Sequence, residues 1–393
     1  MDLIGAIVGI LLGIFSSLIP GIHSNTIAAL LLHTGTETNF LIAVIIAVTA
    51  VHVVISFAPA LFLGIPEAET IVSVLPGHRM VLEGKGRKAL HAVAISALVA
   101  AVATALLSPL VAPFLPKVND AIRPLLLPVI SFASVFLLLH EREPKKILIA
   151  AFIFVLSGAL GIILLNSNVV NEPLLPAFSG AFALSGILIS LRKKGGSGKI
   201  GNQESGEIDF RNLLPAILLG VIFGAAADLI PAISTPAQIA VFASLLIAMD
   251  SLRFLAFSSA LASSHMVFSL TALAQIGVAR TGSAIALRSA ADFSQLLLPE
   301  MIGLSIVAIA IGALGLLFIS GKMESLARID ERKMNLLVFG YLIFLAFAMG
   351  GPLGLLVLAT SAMIGLIGPF TGVKRTHFMG VIIVPTILGM AGF

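Results

Sequence analysis

The sequence predicts an all-α polytopic membrane protein built from two inverted-topology repeats with broken or re-entrant helices. Three observations carry that prediction. Of 393 residues, 59% are hydrophobic and 11% charged, against about 25% charged in an ordinary globular domain. So little polar surface cannot cover a soluble particle, and the mean hydropathy of +1.13 reflects apolar runs near the length of about 20 residues that a bilayer demands. Landmarks in the first half recur in the second at a shift of 211 to 213 residues. Finally, Lys and Arg gather in short loops between apolar spans, so the net charge of +4 reads as a topology signal rather than a nucleic-acid footprint.

Apolar spans fall at 3–19, 23–33, 40–58, 89–112, 124–139, 146–165 and 174–191 in the first half. In the second they fall near 213–230, 236–249, 254–276, 295–319, 334–348, 352–368 and 377–392. The pieces at 23–33 and 236–249 are too short to cross alone and read as half-helices. The start, MDLIGAIVGILLG, has neither a basic region nor an A-x-A-like cleavage site, so it is expected to be the first membrane segment rather than a removable signal. The stretch 192–212, rich in Gly, Ser and Lys, reads as a cytoplasmic linker between membrane repeats at 1–191 and 213–393.

The duplication rests on order. Leu18-Ile19-Pro20 returns as Leu229-Ile230-Pro231, Gly9 and Gly13 as Gly220 and Gly224, His52 and Ser56 as His265 and Ser269, and Gly64 as Gly277. Basic clusters at Arg79–Lys88, at Arg142–Lys146 and in the linker are expected inside together. The basic loop at 320–333 is also expected inside, whereas its first-half counterpart near Lys117 falls outside. That asymmetry is what inversion requires, with an odd number of crossings per half.

Polar residues interrupt the apolar spans at matching places. Pro20-Gly21-Ile22-His23-Ser24-Asn25-Thr26 leads into a helical run, and Pro231-Ala232-Ile233-Ser234-Thr235-Pro236-Ala237-Gln238 carries an N-cap Thr, a first-turn Pro and a capping-box Gln. A helix start inside the bilayer offers free N–H groups and the positive end of the helix dipole to an anion. The competing reading is a proline kink whose polar residues serve only the freed backbone. Pro20, Gly21, Ser24, Asn25, Thr26, Pro231, Ser234, Thr235 and Gln238 are the candidate substrate-binding residues, with Arg280 as a candidate anion contact. Glu67, Glu69, Asp228, His52 and His265 are the candidate ion-coupling residues, because acids and histidines inside apolar spans are costly unless they pair or line a wet cavity. For the histidines the plainer alternative is a hydrogen bond between helices.

Cysteine is absent, which excludes disulfides and thiolate chemistry. No phosphate loop, HExxH, GxSxG or dinucleotide fingerprint occurs, so no catalytic residue and no metal ligand set is expected. With no Trp and a single Tyr, aromatic platforms for nucleic acid are missing too.

The Gly-rich first helix ending in Pro20-Gly21, the later Gly64-Ile65-Pro66, and Leu75-Pro76-Gly77-His78-Arg79-Met80 followed by Glu83-Gly84-Lys85-Gly86-Arg87-Lys88-Ala89-Leu90 resemble the large membrane subunit of tripartite tricarboxylate transporters. The resemblance covers most of the chain. It implies a multi-pass permease of the cell membrane, a symporter taking up a small organic anion, a di- or tricarboxylate, on a sodium or proton gradient. It also implies a small membrane subunit and an extracytoplasmic binding protein as partners; a homodimer is a further expectation. No cofactor is expected, with Na+ as the candidate coupling ion. Two other readings stand beside it: a translocase for polyprenyl phosphate or another lipid phosphate, and an intramembrane enzyme or scaffold subunit.

Overall fold

Asp2 opens the first helix by accepting a hydrogen bond from the Gly5 N–H. Asp209 and Asp250 do the same for two later helices, accepting from the N–H groups of Arg211 and Arg253 at 3.0 and 2.9 Å. Each satisfies a first-turn donor that has no partner within its own helix. The computed structural model describes residues 1–19, 23–32, 37–64, 69–167, 170, 173–192, 203–204, 206–229, 236–279, 281–290, 297–327 and 331–393.

The helices of the first half are α1 (Leu3–Leu18), α2 (Ser24–Leu31), α3 (Thr38–Ile55), α4 (Phe57–Leu63), α5 (Val74–Leu82), α6 (Gly86–Val111), α7 (Leu115–Ile122), α8 (Leu126–Leu139), α9 (Pro144–Asn166), α10 (Leu174–Phe178) and α11 (Ser185–Arg192). Those of the second half are α12 (Phe210–Ala226), α13 (Pro236–Leu246), α14 (Ser251–Ile276), α15 (Gly282–Ala290), α16 (Leu298–Ala327), α17 (Glu331–Thr371) and α18 (Gly380–Ala391). Among the described residues there is no strand, and eight helical stretches are long and apolar enough to cross a membrane. The chain is thus an all-α, multi-pass membrane protein.

Helices α1–α7 and α12–α16 form one compact unit, and α8–α11, α17 and α18 form a second. Each half of the sequence contributes to both.

In the first unit α3 and α14 lie at the centre, almost wholly buried along their apolar stretches. Helix α1 lies against α3 along its glycines: a Cβ on Gly9 would stand 2.6 Å from the Val44 carbonyl oxygen, and one on Gly13 2.8 Å from Val51 Cβ. Helix α12 repeats this on α14, where a Cβ on Gly220 or Gly224 would stand 2.7 Å from the carbonyl oxygen of Phe257 or Leu261. Such close approach gains dispersion and polar contacts between membrane helices, where lipid tails remove the hydrophobic drive. Ser264 uses it, donating to the Val221 carbonyl at 3.0 Å and accepting from the Thr104 hydroxyl at 2.7 Å. Gly64 after α4 and Gly277 after α14 end their helices in the left-handed conformation, with φ of 67° and 65°. The contacts are also exchanged: α3 packs on α15 and α16, and α14 packs on α5 and α6.

In the second unit α9 packs on α18 with Gly158 and Gly161 under Val384 and Val381. Helix α17 breaks at Gly351, whose φ of 58° precedes Pro352. Glu141 accepts from the Lys374 N–H at 3.0 Å and from His377 Nε2 at 2.8 Å. Burial pushes the Glu141 carboxyl up, but those two donors outweigh it and hold it below its ordinary value.

Helices α2 and α13, of 8 and 11 residues, are too short to cross a bilayer. Two segments are more ordered than their composition suggested. Between α6 and α8 the chain stays helical through α7, although prolines crowd the stretch. In the linker, Gln203 is buried: its side chain accepts from the Gly86 N–H at 2.7 Å and donates to the Val81 carbonyl at 3.0 Å. It thereby satisfies the first-turn N–H of α6 and adds a second bond to a carbonyl at the end of α5.

Candidate functional site

Within the first unit, central helix α3 carries His52 at 1% exposure. His23, just before α2, accepts at Nδ1 from the Asn25 N–H at 3.1 Å. That bond assigns its proton to Nε2, which donates to Glu69 Oε2 at 2.9 Å. Glu69 sits in the turn that follows α4. The His23 and His52 rings lie 5.0 Å apart between centroids, and His52 Nδ1 lies 3.2 Å from the Ser16 hydroxyl on α1.

A second buried pair comes from the other half of the sequence. Asp228, in the single 3₁₀ turn that ends α12, is fully buried, and its Oδ1 lies 3.4 Å from His265 Nε2 on α14. His265 occupies on α14 the place His52 occupies on α3.

Three helix starts converge here. Asn25 on α2 accepts at Oδ1 from the Ser283 N–H at 2.9 Å, in the first turn of α15. Thr281 caps that turn, accepting from the Ala284 N–H at 3.1 Å. Pro236 opens α13. Ser24, Asn25, Pro236, Thr281 and Ser283 then join Thr49, His52, Val53, Glu69, Ala262, His265, Met266 and Ser269 around one cleft. Eight of the thirteen lining residues carry a hydroxyl, amide or imidazole group, and none of the thirteen is a lysine or arginine. An entering anion would meet helix N-termini and neutral donors, and it would also meet the Glu69 carboxylate.

Of the candidate residues from the sequence, Ser24, Asn25, Glu69, His52 and His265 line this cleft, and Asp228 touches it through His265. Thr26 and Gln238 fall in the first turns of α2 and α13. Pro20, Gly21, Glu67, Pro231, Ser234, Thr235 and Arg280 lie outside the described residues. Sequence reasoning did not select His23, Thr49, Ser269, Thr281 or Ser283 as site residues. Two signals were available: Thr49 and His52 are polar three positions apart on one face of an otherwise apolar helix, and Thr281-Gly282-Ser283 has the composition of a helix start. The grouping of His23, His52 and Glu69 has no local signal, since residues 46 positions apart are joined only by the fold.

A family model described as tripartite tricarboxylate transporter TctA family matches residues 3–380. The chain is also similar to the uncharacterized protein MJ1079 of Methanocaldococcus jannaschii, 28% identical over 407 aligned positions that cover 99% of this chain and 98% of the relative. No solved structure matches it.

Proposed function

The chain belongs to the tripartite tricarboxylate transporter TctA family, and from that premise we propose that it carries a di- or tricarboxylate through the polar cleft between the starts of α2, α13 and α15. The observation that supports this reading is the convergence of three helix N-termini on one cleft in an otherwise apolar unit. Carboxylates are held at such ends by oriented N–H groups and by the dipole, without a buried lysine or arginine.

Ion coupling is assigned to Asp228 and His265. A carboxylate with no exposed surface beside a buried imidazole can exchange a proton or a sodium ion while its surroundings stay apolar. The two sequence halves are read as inverted repeats. Reciprocal packing, α3 on α15 and α16 against α14 on α5 and α6, is what a two-fold relation between the halves generates. A small membrane subunit and an extracytoplasmic binding protein complete the proposed assembly.

The test is uptake of radiolabelled citrate by proteoliposomes under imposed sodium or proton gradients. Gradient-driven uptake that falls at least tenfold in Asp228→Asn is the expected result. Uptake that ignores both gradients contradicts the coupling, and displacement of bound citrate by polyprenyl phosphate contradicts the substrate class.

A further inference from the structure

A di- or tricarboxylate entering the cleft meets Glu69, and two carboxylates brought together at low dielectric repel strongly unless a cation lies between them. The neighbours of Glu69 indicate which cation. One ring nitrogen each of His23 and His52 and a carboxylate oxygen of Glu69 lie within 4.8 Å of one another, the one such group found among the described residues. Closing that set onto an ion needs rotamer adjustments of an ångström or so, since ligands about 2.1 Å from a common metal stand roughly 3 Å apart.

Two imidazoles and one carboxylate suit a divalent transition metal. Sodium and magnesium prefer sets made of oxygen alone. The Ser16 hydroxyl engages Nδ1 of His52, so Nε2 is its ligating nitrogen. His23, whose Nδ1 accepts from the Asn25 N–H while Nε2 donates to Glu69, ligates through Nε2 only once its proton has shifted to Nδ1 and the Asn25 bond is given up. Three protein ligands leave coordination positions open, and two of the three, His52 and Glu69, line the cleft.

We propose that His23, His52 and Glu69 bind a divalent transition-metal ion whose open positions take the substrate's carboxylates, so that the carried species is a metal–carboxylate chelate. The metal site stands on this geometry alone, whereas the chelate rests on the transport reading above. The ion is then cargo held by the protein on one side and by the substrate on the other, and it turns the repulsion at Glu69 into a bridge.

The experiment uses the full chain, purified in detergent without a histidine tag and stripped with chelator. Titration with Co2+ is followed by its visible absorption, which reports ligand type and coordination number. Wild type is expected to saturate at one ion per chain, with at least tenfold weaker binding in His52→Ala and in the near-isosteric Glu69→Gln, and unchanged binding in the remote His91→Ala. Size-exclusion profiles and melting curves confirm that each variant is folded. Equal Co2+ affinity in wild type, His52→Ala and Glu69→Gln overturns the site. Retention of radiolabelled citrate is then compared in stripped protein and in protein carrying one equivalent of Co2+, with sodium present in both. Retention that requires Co2+ is the expected result. Citrate bound equally by stripped protein overturns the chelate while leaving the transport reading intact. Co2+ bound with no citrate retained in either state overturns the transport reading and the chelate with it, and leaves the metal site standing.

Discussion

His23 shows how one side chain is committed by its backbone surroundings. Because its Nδ1 accepts from the Asn25 N–H, its Nε2 must act toward Glu69, and the orientation of the ring is fixed before any ligand arrives. Asn25 is bound on both sides, through its N–H to His23 and through Oδ1 to the Ser283 N–H. Truncating it frees a first-turn donor on α15 while the backbone N–H of residue 25 still holds His23, so Asn25→Ala is expected to reduce citrate uptake at least tenfold while lowering stability by only about 1–2 kcal/mol. Uptake and melting curves measured on the same preparation separate the two effects. Glu141 gives a prediction of opposite kind, since its role is structural. A carboxyl held below its ordinary value of 4.5 contributes stability that is present above that value and lost as the pH falls through the folded-state pKa. Glu141→Gln should therefore flatten the acid limb of the melting temperature against pH below about pH 4.5 and leave the neutral limb parallel to wild type.

At the scale of elements, the two glycine-lined pairs, α1 on α3 and α12 on α14, decide how closely the central helices are held. Gly9→Leu would drive a side chain into the Val44 carbonyl, a backbone atom that cannot give way, and overpacking of this kind costs about 1–3 kcal/mol. Gly389→Ala on α18, where a Cβ meets nothing within 4 Å, is expected to be neutral or stabilising by up to about 1 kcal/mol. Thermal unfolding in detergent distinguishes the two. The starts of α2 and α13 were legible in the sequence because a first-position proline such as Pro236 acts within a few residues, and so were Gly64 and Gly277 as punctuation. The helix α7 and the docking of Gln203 were not legible. Prolines within the first turn of a short helix cost nothing that composition reveals, and a glutamine that serves backbone groups more than a hundred positions away leaves no periodic trace. The site divides in the same way: each half-site stands beside its own break, while the meeting of α2 with α15 depends on packing across the halves.

Over the whole molecule, the proposed inversion of the two sequence halves makes the starts of α1 and α12 opposite in sidedness. The chain has no cysteine, so single cysteines report without background. Leu3→Cys, at the start of α1, and Phe210→Cys, at the start of α12, are expected to react with an impermeant thiol reagent from opposite faces of the membrane, the first from outside. Reaction of both from one face contradicts inversion. The central claim is that the cleft holds the carboxylate, and substrate protection of a single thiol placed there tests it most directly. Thr49→Cys, on the cleft wall contributed by α3, should react with a small impermeant thiol reagent in proteoliposomes, and saturating citrate should slow that reaction at least tenfold. An unchanged labelling rate, in a variant that still takes up citrate, would place the substrate elsewhere and contradict the account.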